Sequence, residues 1–265
     1  MNGFEEAKGG TEQSDVPAAP KTGLAGWFGR PVMLEARGPF ELRALHRSPL
    51  WQGEGVPDGR GRPMLVIPGF LAATRSADSI LHVMNSAGWR AEAADVGRNS
   101  GPAYVGVDAA EADLQRLHAE TGHRVTIVGH SRGGQFARIL AVRYPDLVRQ
   151  IIVIGTPLLI KYPDFAAVKV PAEVLDRVWR AGAFGEVFPD QEADVDRDRY
   201  APFPDHIDFV SIYSRTDGIV DWRTSIEPAA DTVEVTSSHR GLINGIAGLS
   251  AIATALERPV PTDET

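Results

Sequence analysis

Short apolar runs rich in β-branched residues alternate along this chain with longer stretches whose apolar positions recur at helical spacing. Residues 64–67, 125–128, 149–154, 207–213 and 232–235 are of the first kind and predict strands. Residues 90–96 predict one more, less apolar than the others. Between them, residues 76–88 place Ile80, Leu81, Val83 and Met84 on one helical side, and residues 104–121 do the same with Val107, Leu114 and Leu117. After Ser131 the period changes to helical: Phe136, Ile139 and Leu140 share a face, Arg138 falls off it, and Pro145 ends the run. Residues 241–256 predict a last helix with Leu242, Ile246, Leu249 and Ile252 facing inward. Strand and helix thus alternate, the pattern of an α/β fold with a mostly parallel, doubly wound sheet and helices on both faces.

The flanks are weaker. Residues 1–25 are rich in Gly, Pro, Ala and charge, and read as a disordered tail before one domain at 26–265. Residues 31–45 carry a faint helical pattern broken at Gly38-Pro39, and residues 49–62 hold enough glycine and proline for a loop. From about 157 to 205 the alternation stops. One helix is expected there, 171–181, with Val174, Leu175, Val178 and Trp179 on one side, followed by an acidic run between Asp190 and Asp198 that reads as solvated surface. Inserted after a strand's carboxyl end, this segment is expected to form a small cap.

The strand at 125–128 and the helix after it are joined by Gly129-His130-Ser131-Arg132-Gly133. A Gly-x-Ser-x-Gly turn between a buried strand and a helix is a nucleophile elbow. The chain reverses so sharply that the serine takes a strained backbone conformation, and side chains two positions either way would collide with neighbours. The hydroxyl is left exposed above the sheet at a helix N-terminus, where negative charge is favoured.

Composition narrows the chemistry. A length of 265 residues, 43% hydrophobic and 23% charged, suits one sizeable core. The net charge of −8 argues against a nucleic-acid partner. There is no cysteine, which removes thiol nucleophiles, thiolate metal sites and disulfides together and fits a cytoplasmic location. No apolar run is long enough to span a membrane, and the first residues lack the basic and apolar regions of a secretory signal. His118, Glu120 and His123 have the wrong spacing for two histidines to share a helical face at a metal ion, so no metal is expected.

A serine hydroxyl is a poor nucleophile at neutral pH and needs a base, itself oriented by a carboxylate. Both follow strands. Asp217 comes after the strand at 207–213, and His239 after the strand at 232–235. Asp221 competes with Asp217 for the acid's role. Asp217 is favoured because Asp221 follows the apolar pair Ile219-Val220 and has the simpler role of a turn cap. Donors for an oxyanion are expected from the backbone amides of Arg132 and of Phe70, the latter in the Pro68-Gly69-Phe70 turn after the first strand.

With these residues in view, the chain resembles the α/β-hydrolase superfamily, and most of all its bacterial serine esterases and lipases. The likeness rests on Pro68-Gly69-Phe70, on Gly129 to Gly134, on Gly155-Thr156-Pro157, on Ser214 to Val220 and on Ser238 to Leu242. It implies Ser131 as nucleophile, Asp217 as acid, His239 as base, no cofactor, and a small-molecule or lipid ester as substrate. Two departures stand out. Many lipases have His-Gly where this chain has Pro68-Gly69, which implies an oxyanion loop without one of its usual supports. No cysteines bracket the site, unlike in some secreted lipases. Ester hydrolysis leads. An acyltransferase with the same residues and a non-catalytic ligand-binding protein of the same fold are the alternatives.

Overall fold

The computed structural model describes residues 31–70, 72, 74–158 and 189–259. The expected tail at 1–25 and the expected helix at 171–181 lie outside them. Six described strands form one sheet: β1 (Pro63–Ile67), β2 (Arg90–Ala93), β3 (Val125–His130), β4 (Val148–Ile154), β5 (Asp208–Tyr213) and β6 (Asp231–Glu234). Their order is β2-β1-β3-β4-β5-β6, and every pairing is parallel.

The central strands are buried along their whole length, and successive residues feed opposite layers. On one face Met64, Val66, Val128, Ile152 and Ile212 pack with Ile80, Leu242, Leu249 and Ile252. On the other, Leu65, Ile67, Ile127, Ile151 and Val153 pack with Val107, Leu114, Phe136 and Ile139. Full burial of each such aliphatic side chain contributes on the order of 1.5–3 kcal/mol, so this two-sided core fixes the register. β2 and β6 are the edges. Their polar sequences, Arg-Ala-Glu-Ala and Asp-Thr-Val-Glu, suit strands with one side open to water and explain the weak apolar signal of residues 90–96.

The helices are α1 (Pro31–Glu35), α2 (Gly38–Leu45), α3 (Asp78–Ser86), α4 (Ala103–Thr121), α5 (Arg132–Arg143), α6 (Pro189–Tyr200), α7 (Gly241–Asn244) and α8 (Ile246–Leu256). α4 ends at Gly122, whose φ of 68° is the left-handed stop that glycine takes without a side-chain clash. α5 lies against β3 and β4 and is covered by α4 and α6. The acidic run therefore falls on a crossover helix between β4 and β5: Asp194 is exposed, while Val195 and Arg199 are buried.

Three expectations change. Ile246, predicted to face inward, is exposed. The helix predicted at 241–256 is two helices, because Gly245 is extended at φ −127° and ψ 162°. The chain then returns so closely that a Cβ on Gly248 would lie 1.8 Å from the Leu242 carbonyl oxygen. Arg138, placed off the buried face by periodicity, is buried as well, because α5 is enclosed on all sides. Its guanidinium meets the equally buried Glu227 carboxylate, with Nη2 at 2.7 Å and Nε at 2.9 Å from Oε1. Nη2 also donates to the Ala201 carbonyl at 3.0 Å.

Candidate active site

The strand order reverses direction between β1 and β3. Ligand sites of open parallel sheets form at such a switch, beyond the strands' carboxyl ends. Ser131 stands there, directly after β3, with φ 53° and ψ −123°, a conformation L-residues rarely take. The surrounding structure enforces it. A Cβ on Gly129 would lie 2.4 Å from the Gly134 Cα, and one on Gly133 would lie 2.2 Å from the Ile67 carbonyl oxygen. A Cβ on Gly134 would come within 2.0 Å of Thr156 Oγ1, a third position where only glycine fits. Ser131 itself is partly exposed, while the residues on either side of it are buried.

The loop after β1 lies against this turn: a Cβ on Gly69 would touch the Ser131 Cβ at 3.0 Å. Asn99 and the Arg132 side chain hold that loop. Asn99, buried and at φ 47°, donates from Nδ2 to the Pro68 carbonyl at 2.8 Å. Arg132 Nη1 donates to the Asn99 carbonyl at 2.8 Å and to Asn99 Oδ1 at 3.0 Å, and Nη2 donates to the Gly101 carbonyl at 2.7 Å. The support that Pro68-Gly69 implied to be missing is thus supplied from the loop after β2.

Asp217 and His239 meet across the loops that follow β5 and β6. His239 Nδ1 lies 2.7 Å from Asp217 Oδ2, and both side chains are buried. Asp217 Oδ1 accepts from the amides of Ile219 at 2.7 Å and Val220 at 2.8 Å. Burial alone would push the Asp217 carboxyl up. The neighbouring His239 and the two amides outweigh it and hold the carboxyl below its ordinary value. Asp221 is elsewhere: it caps the 3-10 turn Trp222–Ser225, accepting from the Arg223 amide at 3.1 Å.

His130 ties this pair to the elbow. Its ring lies 4.7 Å from the His239 ring, and its Nε2 donates to the His239 carbonyl at 3.1 Å. Burial, then the nearby His239, push the His130 imidazole down to about 3, so it is neutral at ordinary pH. A neutral imidazole that donates from Nε2 presents Nδ1 as an acceptor.

The structure thus brings Ser131, Asp217, His239, Arg132 and the Phe70 turn to one end of the sheet. Sequence reasoning missed Asn99, His130, the Arg132 guanidinium and, from the N-terminal helices, Glu35 and Glu41. Asn99 left one local trace, since asparagine tolerates positive φ better than most residues. The two glutamates left none, because their partners lie some two hundred positions away. Among the described residues, no cluster of three or more His, Asp or Glu side chains could hold a metal ion, and no helix is long and apolar enough to cross a membrane.

Comparison with known proteins agrees with this architecture. A family model described as the alpha/beta hydrolase fold matches residues 62–185. Among solved structures, the chain is similar to a lipase from Bacillus licheniformis in its propeptide form. The TM-score is 0.57 at 15% identity, over 79% of this chain and 53% of that one. It is also similar to a metagenomic carboxyl esterase, with a TM-score of 0.55 at 14% identity over 84% and 89% of the two chains. A third likeness is to a structure from work on the metagenome-derived lipolytic enzymes LipS and LipT, with a TM-score of 0.51 at 16% identity, covering 71% and 89%. No curated protein sequence matches the chain. At these identities the structural likeness speaks for the fold alone, and together with the parallel sheet, the glycine-framed elbow and the family model over residues 62–185 it shows that this chain has the α/β-hydrolase fold.

Proposed function

We propose that the protein is a serine hydrolase that cleaves carboxylic esters through an acyl-enzyme on Ser131. The observation that carries the reading is the buried Asp217–His239 pair, 2.7 Å apart, tied through His130 to the strained serine turn. A neutral His239 donating from Nδ1 to Asp217 keeps Nε2 as the basic nitrogen. In the proposed reaction His239 takes the Ser131 proton as Oγ attacks the ester carbonyl. The amides of Arg132 and Phe70 receive the oxyanion, and the protonated histidine returns the proton to the departing alcohol. Water then enters by the same steps in reverse and frees the acid. The Asp217 carboxylate, held below its ordinary range, stays charged beside the imidazolium that forms.

The fold's neighbours include proteins described as lipases and carboxyl esterases, which supports an ester over an amide or a phosphoester. The test pairs a fluorophosphonate probe with p-nitrophenyl esters of increasing chain length. Wild-type protein is expected to be labelled on Ser131 and to turn over at least the short esters. Folded Ser131→Ala is expected to do neither, and labelling that survives in it would sink the assignment.

A further inference from the structure

The two helices ahead of the first strand, and the turn between them, send three charged side chains into the loops that carry the proposed acid and base. Glu35, the last residue of α1, accepts through one atom, Oε1, from the amide of Gly218 at 2.9 Å and from the amide of His239 at 2.8 Å. Gly218 directly follows Asp217. Arg37 donates from Nη2 to Thr216 Oγ1 at 3.0 Å. Glu41, in α2, accepts through Oε1 from the Ser238 amide at 3.1 Å and the Ser237 hydroxyl at 3.2 Å, and through Oε2 from the Ser238 hydroxyl. Gly241 is needed beside it, since a Cβ there would lie 2.0 Å from Glu41 Oε2.

Resting on the reading of Asp217 and His239 as acid and base, we propose that Glu35 is a positioning residue for the reaction. The geometry is a closed ring. Asp217 and His239 touch through their side chains, and one carboxylate oxygen joins the backbone beside the first to the backbone of the second. His239 is therefore gripped at three points: its amide by Glu35, its carbonyl by His130 and its Nδ1 by Asp217. Hydrogen bonds from amides to a carboxylate are charge-assisted and shorter and stronger than neutral ones. The two loops are also joined further back, where Ser214 Oγ and Thr216 Oγ1 donate to the Ser237 carbonyl at 2.9 and 3.0 Å, so Glu35 adds a bond at the acid and base themselves rather than holding the loops together alone. Small misplacement of a catalytic group costs rate far more than it costs binding.

The experiment compares Glu35→Ala, Glu35→Gln and wild type in the full chain, reading kcat, KM, the rate of Ser131 labelling by a fluorophosphonate and thermal midpoints. Glu35→Ala is expected to lose about 10- to 100-fold in kcat and labelling rate, with KM and folding little changed. Glu35→Gln, whose side-chain oxygen accepts the same two amide hydrogens, is expected to keep most of the rate. A Glu35→Ala protein as fast as wild type, or a Gln variant as impaired as Ala, overturns the proposal. If Glu35→Ala fails to fold, Glu35→Asp decides. Its carboxylate is one methylene short of spanning both amides, so kcat should fall in the folded variant, and wild-type kcat there overturns the proposal. Wild type that is never labelled counts against the hydrolase reading itself, whereas labelled wild type beside an equally fast Glu35→Ala counts against Glu35 alone.

Discussion

Asn99 Nδ2 donates to the carbonyl of Pro68 at 2.8 Å, joining the loop after β2 to the turn after β1. That bond fixes the plane of the peptide that leads into Gly69 and Phe70. The Phe70 amide is a proposed oxyanion donor, and preorganised donors are effective because they need no reorientation as charge develops. Arg132, the residue after the nucleophile, in turn fixes Asn99. One network thus supports both proposed donors.

Removing this brace should lower kcat without weakening substrate binding. Asn99→Gly is the informative variant, because glycine keeps the φ of 47° and deletes the side-chain bonds to Pro68 and Arg132 while leaving the Asn99 carbonyl that Arg132 also holds. We expect kcat on p-nitrophenyl acetate to fall about tenfold or more, less than the 10²–10³ of losing a donor outright. An unchanged kcat would show that the turn stands without Asn99.

Asp217 and Asp221 should separate cleanly. Asp217→Asn disturbs the histidine tautomer and is expected to cut turnover by about a thousandfold or more. Asp221→Ala removes the cap on the Trp222–Ser225 turn and an exposed pairing with Arg223, so about 0.5–2 kcal/mol of stability should be lost and turnover kept. Steady-state rates of the folded variants are the check. A crippled Asp221→Ala beside an active Asp217→Asn would reverse the assignment.

The neutral, buried His130 predicts acid sensitivity of the fold. Its imidazole is pushed from 6.5 to about 3, so the unfolded chain takes up a proton that the folded one refuses. This has no effect above about pH 6.5. Below it, stability falls by up to about 1.4 kcal/mol per pH unit until the folded value is reached. Asp217 acts lower down. Its lowered carboxyl stabilises the fold above its unfolded value and loses that contribution only as pH falls through the folded one. Urea midpoints between about pH 6.5 and 4.5 should therefore drop more steeply for wild type than for His130→Gln. Equal slopes would mean that His130 accepts a proton in place.

The buried Arg138–Glu227 pair is expected to serve the fold alone. Glu227→Ala leaves a buried guanidinium without its carboxylate and should cost about 3–5 kcal/mol. Converting both to Met and Leu should recover much of that loss. Denaturant titration measures the stability, and kcat per folded molecule should not move. A large kcat change in the double variant would place the pair in the site's support.

Local sequence was enough for the sheet's strands and for the elbow. Residues 64–67 and 151–154 are continuous apolar runs because both faces of β1 and of the carboxyl half of β4 are covered, and a two-sided core writes itself into each of those positions. Ser131 was legible because its strained φ/ψ demands glycine at fixed, short offsets. Asp217 and His239 were legible as candidates because each stands a few residues past a strand of a recognisable alternation.

What only the tertiary structure decided is which distant groups share that end of the sheet. Periodicity sorted α5 into inside and outside, but enclosure by α4 and α6 made both sides inside, so Arg138 had to be paired rather than solvated. Gly245 interrupts a stretch whose apolar spacing is helical throughout, because the chain must double back onto Leu242. Asn99 and Glu35 act across separations of 31 and 204 residues. A hydrogen bond that spans such distances imposes no pattern on neighbouring residues. It exists only once the sheet has brought the loops together, so no window of sequence carries its trace.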